Sequence, residues 1–376
     1  MEYATKLIHT APPVKDETGA LGVPVYRTST FHQKEIFGHQ EFDYARSGNP
    51  TRKALEEAIA VLEGGSNGYA FASGIAAVGS TLAIFSAGDH IVICEDVYGG
   101  TFRLTTTILS RFGLEFTFVD ASNLEAVKQA IRPNTKALYL ETPSNPLLKV
   151  TDLRAASELA HEHELVVIVD NTFMTPYLQR PLELGADIVV HSATKFLGGH
   201  SDVLAGLVVT KTRELGKRVY AIQNGFGAVL GPDDSWLVLR GIRTLKVRVE
   251  AEQENARRLA AWLSEQPAVK AVYYPGLPGH PGYAVNAAQT DGPGCVLSFE
   301  LGSAEQAAAF LGKLTLPIVG VSLGGVETIV SYPRTMSHAS MPAAERTRFG
   351  ISDALIRVSL GLEDVNDLIA DFTQAL

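Results

Sequence analysis

Apolar runs recur along the middle of the chain with room for a helix between most neighbours. Seven of them read as strands: Tyr69–Ala72, His90–Cys94, Phe116–Val119, Ala137–Glu141, Leu165–Asp170, Ile188–His191 and Leu207–Thr210. Several are apolar at almost every position, as strands covered on both faces must be. The intervals suit crossover helices, so the pattern predicts a mostly parallel α/β sheet. Ahead of it, Asn49-Pro50-Thr51 supplies a helix cap and first turn. Leu55, Ile59 and Leu62 follow at helical spacing, and Gly64-Gly65 ends the run.

Two regions depart from this rhythm. Residues 1–47 hold no sustained periodicity and carry Pro12-Pro13, Gly19, Gly22 and Pro24, which reads as an extended arm. Near residue 240 a long amphipathic helix, Thr244–Leu263, presents Leu245, Val249, Ala256, Leu259 and Leu263 on one stripe. Beyond it, strand runs at Val269–Tyr274, Cys295–Phe299 and Leu355–Leu360 alternate with short helical pieces. The expected division is an arm (1–47), a first α/β domain (48–241) and a smaller second one (242–376). No repeat or low-complexity segment interrupts it.

Length agrees with this division, since 376 residues make about two domains at roughly 100–200 residues each. The chain carries 32 basic against 41 acidic residues, a net charge of −9. That balance suits neither nucleic acid nor an anionic membrane surface, so neither is expected as a partner. One stretch, Gly64 to Gly88, is free of charge for 25 positions, long enough to cross a bilayer. Its six glycines, four serines and Asn67 argue against a span. The first six residues form no apolar signal core, and Cys94 and Cys295 are too few for a disulfide framework. A cytoplasmic protein is expected.

Ligands of open α/β sheets bind at the carboxyl ends of the strands. The polar residues there are Ser73-Gly74, Glu95 to Tyr98, Glu141-Thr142, Asp170 to Thr172 and Ser192 to Lys195. Lys195 is the most informative. A lysine in a crevice loses its proton readily and attacks carbonyl groups, whereas a solvated one does nothing. Ser192 and Thr194 beside it are natural phosphate ligands. Asp170 is either a helix cap or the counter-charge of a buried cation. Pyridoxal phosphate asks for this pairing, a lysine for its aldehyde and an acid for its ring nitrogen. It also needs an anion cradle, which Ser73-Gly74-Ile75 offers at the head of a helical run, Ala76–Phe85. Tyr98 suits stacking on a flat ring, or a place in the core. His161, His163, His191 and His200 lack metal-site spacing, so no metal is expected. Neither a G-x-G-x-x-G fingerprint nor a P-loop occurs.

These residues sit in longer matching stretches. They are Y-A-R-S-G-N-P-T-R (44–52), F-A-S-G-I-A-A (71–77), E-D-V-Y-G-G-T (95–101), E-T-P-S-N-P (141–146), V-D-N-T-F (169–173), H-S-A-T-K-F-L-G-G-H (191–200), S-L-G-G-V-E (322–327) and R-V-S-L-G-L-E (357–363). Over essentially its whole length the chain resembles the Cys/Met-metabolism family of pyridoxal-phosphate enzymes. The resemblance implies the fold-type I, aminotransferase-like architecture and a homotetramer made of two dimers. It implies Lys195 as the lysine that bonds the cofactor and shuttles the proton, with Tyr98 stacked on the ring. Asp170 pairs with the ring nitrogen. Ser73, Gly74, Ile75, Ser192 and Thr194 take the phosphate. Tyr44 and Arg46 reach the phosphate of a neighbouring subunit. Asn145, Ser322 and Arg357 hold the substrate carboxylate.

The implied reaction is carbon–sulfur cleavage in a small sulfur-containing amino acid. Tyr98-Gly99-Gly100-Thr101 departs from the Y-G-C-T of methionine γ-lyases, and Val321 stands where many γ-lyases carry glutamate. The segments 173–181, 200–204 and 226–231 look most like cystathionine β-lyases of Gram-positive bacteria. The matching segments leave a γ-lyase, γ-synthase or O-acetylhomoserine sulfhydrylase activity open. Ile75 replaces a common methionine, with little expected effect, because the backbone amide is the ligand.

Overall fold

The computed structural model describes residues 1–10, 18–38, 40–339 and 341–376. The Asn49 signal is realised as expected. Its side chain accepts the amides of Thr51 and Arg52 at the head of the helix Pro50–Glu63, and Gly64 ends that helix with φ 73°. Pro50 adds no unpaired donor there, because the first amides of a helix have no acceptor in it. Leu55, Ile59 and Leu62 form its buried face.

Seven strands make the large sheet: β1 (Asn67–Phe71), β2 (His90–Cys94), β3 (Glu115–Val119), β4 (Thr135–Glu141), β5 (Val166–Asp170), β6 (Ile188–Ser192) and β7 (Gly206–Thr210). Their order is β1-β7-β6-β5-β4-β2-β3. Only β7 runs against the others, pairing antiparallel with both β1 and β6. The expected mostly parallel sheet is therefore present, and the carboxyl ends of six strands open on one edge.

Five short strands form the second sheet: β8 (Ala271–Tyr273), β9 (Val296–Glu300), β10 (Ile318–Val319), β11 (Ile329–Ser331) and β12 (Leu355–Ser359), in the order β10-β11-β12-β9-β8. All its pairings but β10 with β11 are antiparallel. The helix Leu245–Ser264 links the two cores. Leu245 and Val249 pack in the larger one, and Ala256, Leu259 and Leu263 in the smaller.

The charge-free stretch from Gly64 to Gly88 holds β1 and the helix Gly74–Leu82. Among the described residues no helix is long and apolar enough to cross a membrane. The arm differs from expectation, since Tyr3–His9 is a helix. Seven residues are too few to show a period, and the turn is held by tertiary contact. Leu7 is buried, and the Tyr3 hydroxyl donates to Leu62 O at 3.0 Å. Pro12 and Pro13 lie outside the described residues. Strands β10 and β11 escaped the sequence reading because two and three residues carry no alternation.

Candidate active site

A cleft of 620 Å³ opens where the carboxyl ends of the large sheet meet the small sheet. Lys195 enters it from a tight turn after β6, in which Lys195 N donates to Ser192 O and Gly199 N to Lys195 O. Its Nζ donates to Ser322 Oγ at 2.6 Å. Burial, helped by the nearby Arg357 charge, lowers the Lys195 pKa to about 8. Ser322 sits at φ 87°, in the left-handed region that a side chain rarely occupies. Such strain persists where surrounding contacts hold it, and Arg357 Nη2 grips the Ser322 carbonyl at 2.7 Å.

Asp170 closes β5 and is 8% exposed. Its bonding partners are Thr172 N at 3.0 Å, Thr172 Oγ1 at 2.5 Å and, more distantly, Tyr139 Oη at 3.4 Å. None is a cation, and burial raises the carboxyl pKa despite the bonds from Thr172. Glu141 lies beside it in strand register and accepts Tyr98 N at 2.9 Å. Burial and the adjacent Asp170 charge push Glu141 well above the usual carboxylate range. Two buried acids side by side favour an incoming cation.

The anion cradle is built at the head of the helix Gly74–Leu82. Ser73 caps it, accepting Ala76 N at 3.2 Å. The Gly74 and Ile75 amides then have no acceptor within the helix. A Cβ on Gly74 would lie 2.7 Å from both Ser192 Cβ and Oγ. Only glycine lets this turn and Ser192 line the same corner, and Thr194 completes it.

Tyr98, 43% exposed, lines the cleft at the start of the short helix Gly99–Arg103. Both following glycines are needed there. A Cβ on Gly100 would collide with the Tyr98 ring, and one on Gly99 with Ser337 O. Arg357, in the middle of β12, is 2% exposed. Its Nη1 donates to Asn145 Oδ1 at 2.9 Å and its Nη2 to Ser331 Oγ at 2.9 Å, while Nε is buried without a partner. Burial lowers its pKa to about 10, which still leaves a cation at neutral pH.

The cleft thus gathers Ser73, Gly74, Ile75, Tyr98, Asn145, Asp170, Ser192, Thr194, Lys195, Ser322 and Arg357. It does not gather Tyr44 and Arg46 of the same chain. Tyr44 is 45% exposed, with the Arg46 guanidinium 5.6 Å from its ring centre. Arg46 Nη1 donates to both Asn224 oxygens at 2.8 Å. His191 is buried against Glu63, Nε2 to Oε1 at 2.6 Å.

Sequence reasoning left part of the site without a role. Thr172 holds Asp170 and accepts Ser192 N at 2.8 Å. Its place two residues after an aspartate was an available turn signal. Glu141 stood out only as a polar strand end. Met336, Ser337 and Ala339 reach the cleft from a distant loop with no local signature.

Comparison with known proteins defines the class first. A crystal structure of cystathionine gamma-lyase from Lactobacillus plantarum, complexed with L-serine, superposes with a TM-score of 0.97 at 47% identity, covering 100% of this chain and 98% of that one. The match establishes the fold of fold-type I pyridoxal-phosphate enzymes. The relatives include cystathionine beta-lyase MetC of Bacillus subtilis (strain 168), 55% identical over 99% of this chain and 95% of its own length. Cystathionine gamma-lyase of the same organism is 52% identical over 100% of this chain and 99% of its own. The family model described as "Cys/Met metabolism PLP-dependent enzyme" matches residues 4–376, and the chain belongs to that family. The residues present fit the cofactor: a cradle that a Cβ would fill, a buried acid without a cation, and an amine of depressed pKa.

Proposed function

We propose that this enzyme is a carbon–sulfur lyase that converts cystathionine and water to homocysteine, pyruvate and ammonia, working in the cytoplasm. The observation that carries the reading is the meeting of Lys195, Asp170 and Arg357 in one cleft with the Gly74 cradle. Its β-lyase relatives at 55% and 51% identity support the substrate and the bond.

Each residue then has a task. The Gly74 and Ile75 amides with Ser73, Ser192 and Thr194 would hold the cofactor phosphate, Asp170 would pair with a positive ring nitrogen, and Tyr98 would cover the ring. When bound, pyridoxal phosphate supplies an electron sink for charge developing at the substrate α-carbon. Arg357, Asn145 and Ser322 bind the α-carboxylate and turn the Cα–H bond toward Lys195. The neutral Lys195 amine takes the α-proton as a general base. Leu204, Val321, Leu323 and Met336 add apolar surface to the lining of the cleft.

Product identification tests the reading. Holoenzyme given cystathionine is expected to release pyruvate and homocysteine. Release of 2-oxobutyrate and cysteine would favour the γ-cleavage that the 52% identical relative suggests. Neither pair of products would overturn both readings.

The depressed Lys195 pKa makes a further prediction. Only the neutral amine would be a nucleophile toward the aldehyde of pyridoxal phosphate. Capture of pyridoxal phosphate by cofactor-free protein should therefore accelerate as pH rises through about 8 and then level off. Stopped-flow visible absorbance measures this, and a rate indifferent to pH would contradict it.

We further propose a homotetramer of two dimers in which Tyr44 and Arg46 complete the neighbour's phosphate site. Their place outside their own cleft supports this. Arg46→Ala and Lys195→Ala proteins, each inactive alone, are expected to regain activity when refolded together. A hybrid site then has Lys195 from one chain and Arg46 from the other. Absence of complementation in verified mixed oligomers would refute the shared site.

A further inference from the structure

The turn that carries Lys195 is gripped from behind by a residue outside the cleft. Arg248 lies on the helix Leu245–Ser264 and is 3% exposed. Its guanidinium joins three acceptors, one on the turn after Lys195 and two in the 241–244 turn that leads into its own helix. Nη1 donates to Phe196 O at 2.8 Å, Nη2 to Gly241 O at 2.8 Å, and Nε to Thr244 Oγ1 at 3.2 Å. Phe196 directly follows Lys195, so one of these bonds falls on the backbone next to the reactive lysine.

Three glycines mark how closely the neighbours press on this turn. Gly199, at φ 74°, has no room for a Cβ because the Arg248 guanidinium occupies the place. A Cβ on Gly241 would strike the Leu197 and Gly198 carbonyls. One on Gly324 would lie 2.6 Å from Phe196 N, two residues after the Ser322 that receives the Lys195 amine. The helix bearing Arg248 is itself anchored at Leu245 and Val249 in one core and at Ala256 and Leu259 in the other. Glu252, one helical turn on, is buried, and burial raises its pKa to about 8 despite the nearby Arg248 cation.

A guanidinium that bridges two carbonyls fixes both the separation and the angle of the segments it joins. We propose that Arg248 is a positioning residue for Lys195. It acts through the Phe196 carbonyl and sets where Nζ stands relative to Ser322 and Asp170. The proposal rests on the reading of Lys195 as the residue that bonds the cofactor.

The experiment compares wild-type, Arg248→Lys and Arg248→Met holoenzymes. It reads the circular dichroism of the visible cofactor band, kcat and KM per bound cofactor, and the thermal midpoint. For Arg248→Met, kcat is expected to fall roughly 10–100-fold, the cost of a displacement of about 1 Å in a reacting group. KM should stay near wild type, because Arg357 still holds the substrate, and the visible dichroism should change. Arg248→Lys, able to reach one carbonyl at a time, should fall between. A lowered thermal midpoint with wild-type dichroism and wild-type kcat per bound cofactor would make Arg248 a brace only and overturn the proposal. If Arg248→Met does not fold, Thr244→Val decides, since it removes the Nε acceptor, together with the Thr244 Oγ1 bond to Gly241 O, and leaves the guanidinium in place. Smaller shifts in the same two readings support the proposal, and wild-type values overturn it. A Lys195→Ala protein that kept the wild-type visible band would instead overturn the reading of Lys195, so the two failures are distinguishable.

Discussion

Replacing Lys195 by alanine is expected to abolish turnover of cystathionine and the lysine-dependent visible band of the holoenzyme. The loss should reach at least ~10⁴-fold, because general-base catalysis alone contributes ~10²–10⁴ and the bond to the cofactor disappears with it. No substitute is at hand among the described residues. The other cations lining the cleft are Arg103 and Arg357, and a guanidinium does not give up its proton readily enough to act as a base. The fold should survive. The amine loses hydration on burial, which is why its pKa falls to about 8. The folded state therefore disfavours the charged form relative to the unfolded chain, where a lysine titrates near ~10.4. Below pH 8 that penalty is fully present. It fades as pH rises from 8 towards the unfolded value, above which the amine is neutral in both states. Cofactor-free Lys195→Ala should accordingly melt at or above the wild-type temperature near neutral pH, with the gap closing in alkaline buffer. Pyruvate release, visible spectra and melting curves check the three parts. Turnover above one hundredth of wild type would contradict the role given to Lys195.

Arg357→Lys is expected to leave the cofactor bound but to lower kcat/KM for cystathionine by ~10²–10³-fold. Breaking up a buried, hydrogen-bonded charge contact costs ~2–5 kcal/mol. A lysine ammonium is a point charge and cannot reach Asn145 Oδ1, Ser322 O and Ser331 Oγ while also presenting a paired face to a carboxylate. Most of the loss should appear in KM. A share in kcat is expected as well, because the carboxylate also orients the Cα–H bond. The visible spectrum should match wild type, since Arg357 stands on the small sheet and the cradle on the large one. Titration of the holoenzyme with substrate, followed by absorbance and by steady-state rates, tests this. An unchanged KM would place the carboxylate elsewhere.

The large sheet was legible because its signals are local. A strand covered on both faces, such as β2 or β5, is apolar at almost every position, and a helix announces itself by a cap such as Asn49. The cradle and Lys195 were legible for the same reason, as both follow directly on strand ends. The small sheet was only partly readable. Strands of two or three residues gain their stability from neighbours already in place and not from their own pattern. The helix Tyr3–His9 belongs to the same class, stabilised by contacts such as that of Tyr3 with Leu62.

By itself the sequence determined the order of the α/β elements, the strand-end placement of Lys195, Asp170 and the cradle, and, through the matching segments, the family. Hydrophobic period, capping and turn chemistry act between near neighbours, so a linear reading holds them. Only the tertiary structure decided that Arg357 meets Asn145 across 212 positions, that Ser322 receives the Lys195 amine across 127, and that Arg248 grips Phe196 across 52. Those contacts join segments that lie far apart in the chain. Their distances depend on how the sheets are set relative to each other, which no local pattern encodes. The depressed pKa of Lys195 has the same origin, since burial and the Arg357 charge act on it only once both sheets are in place.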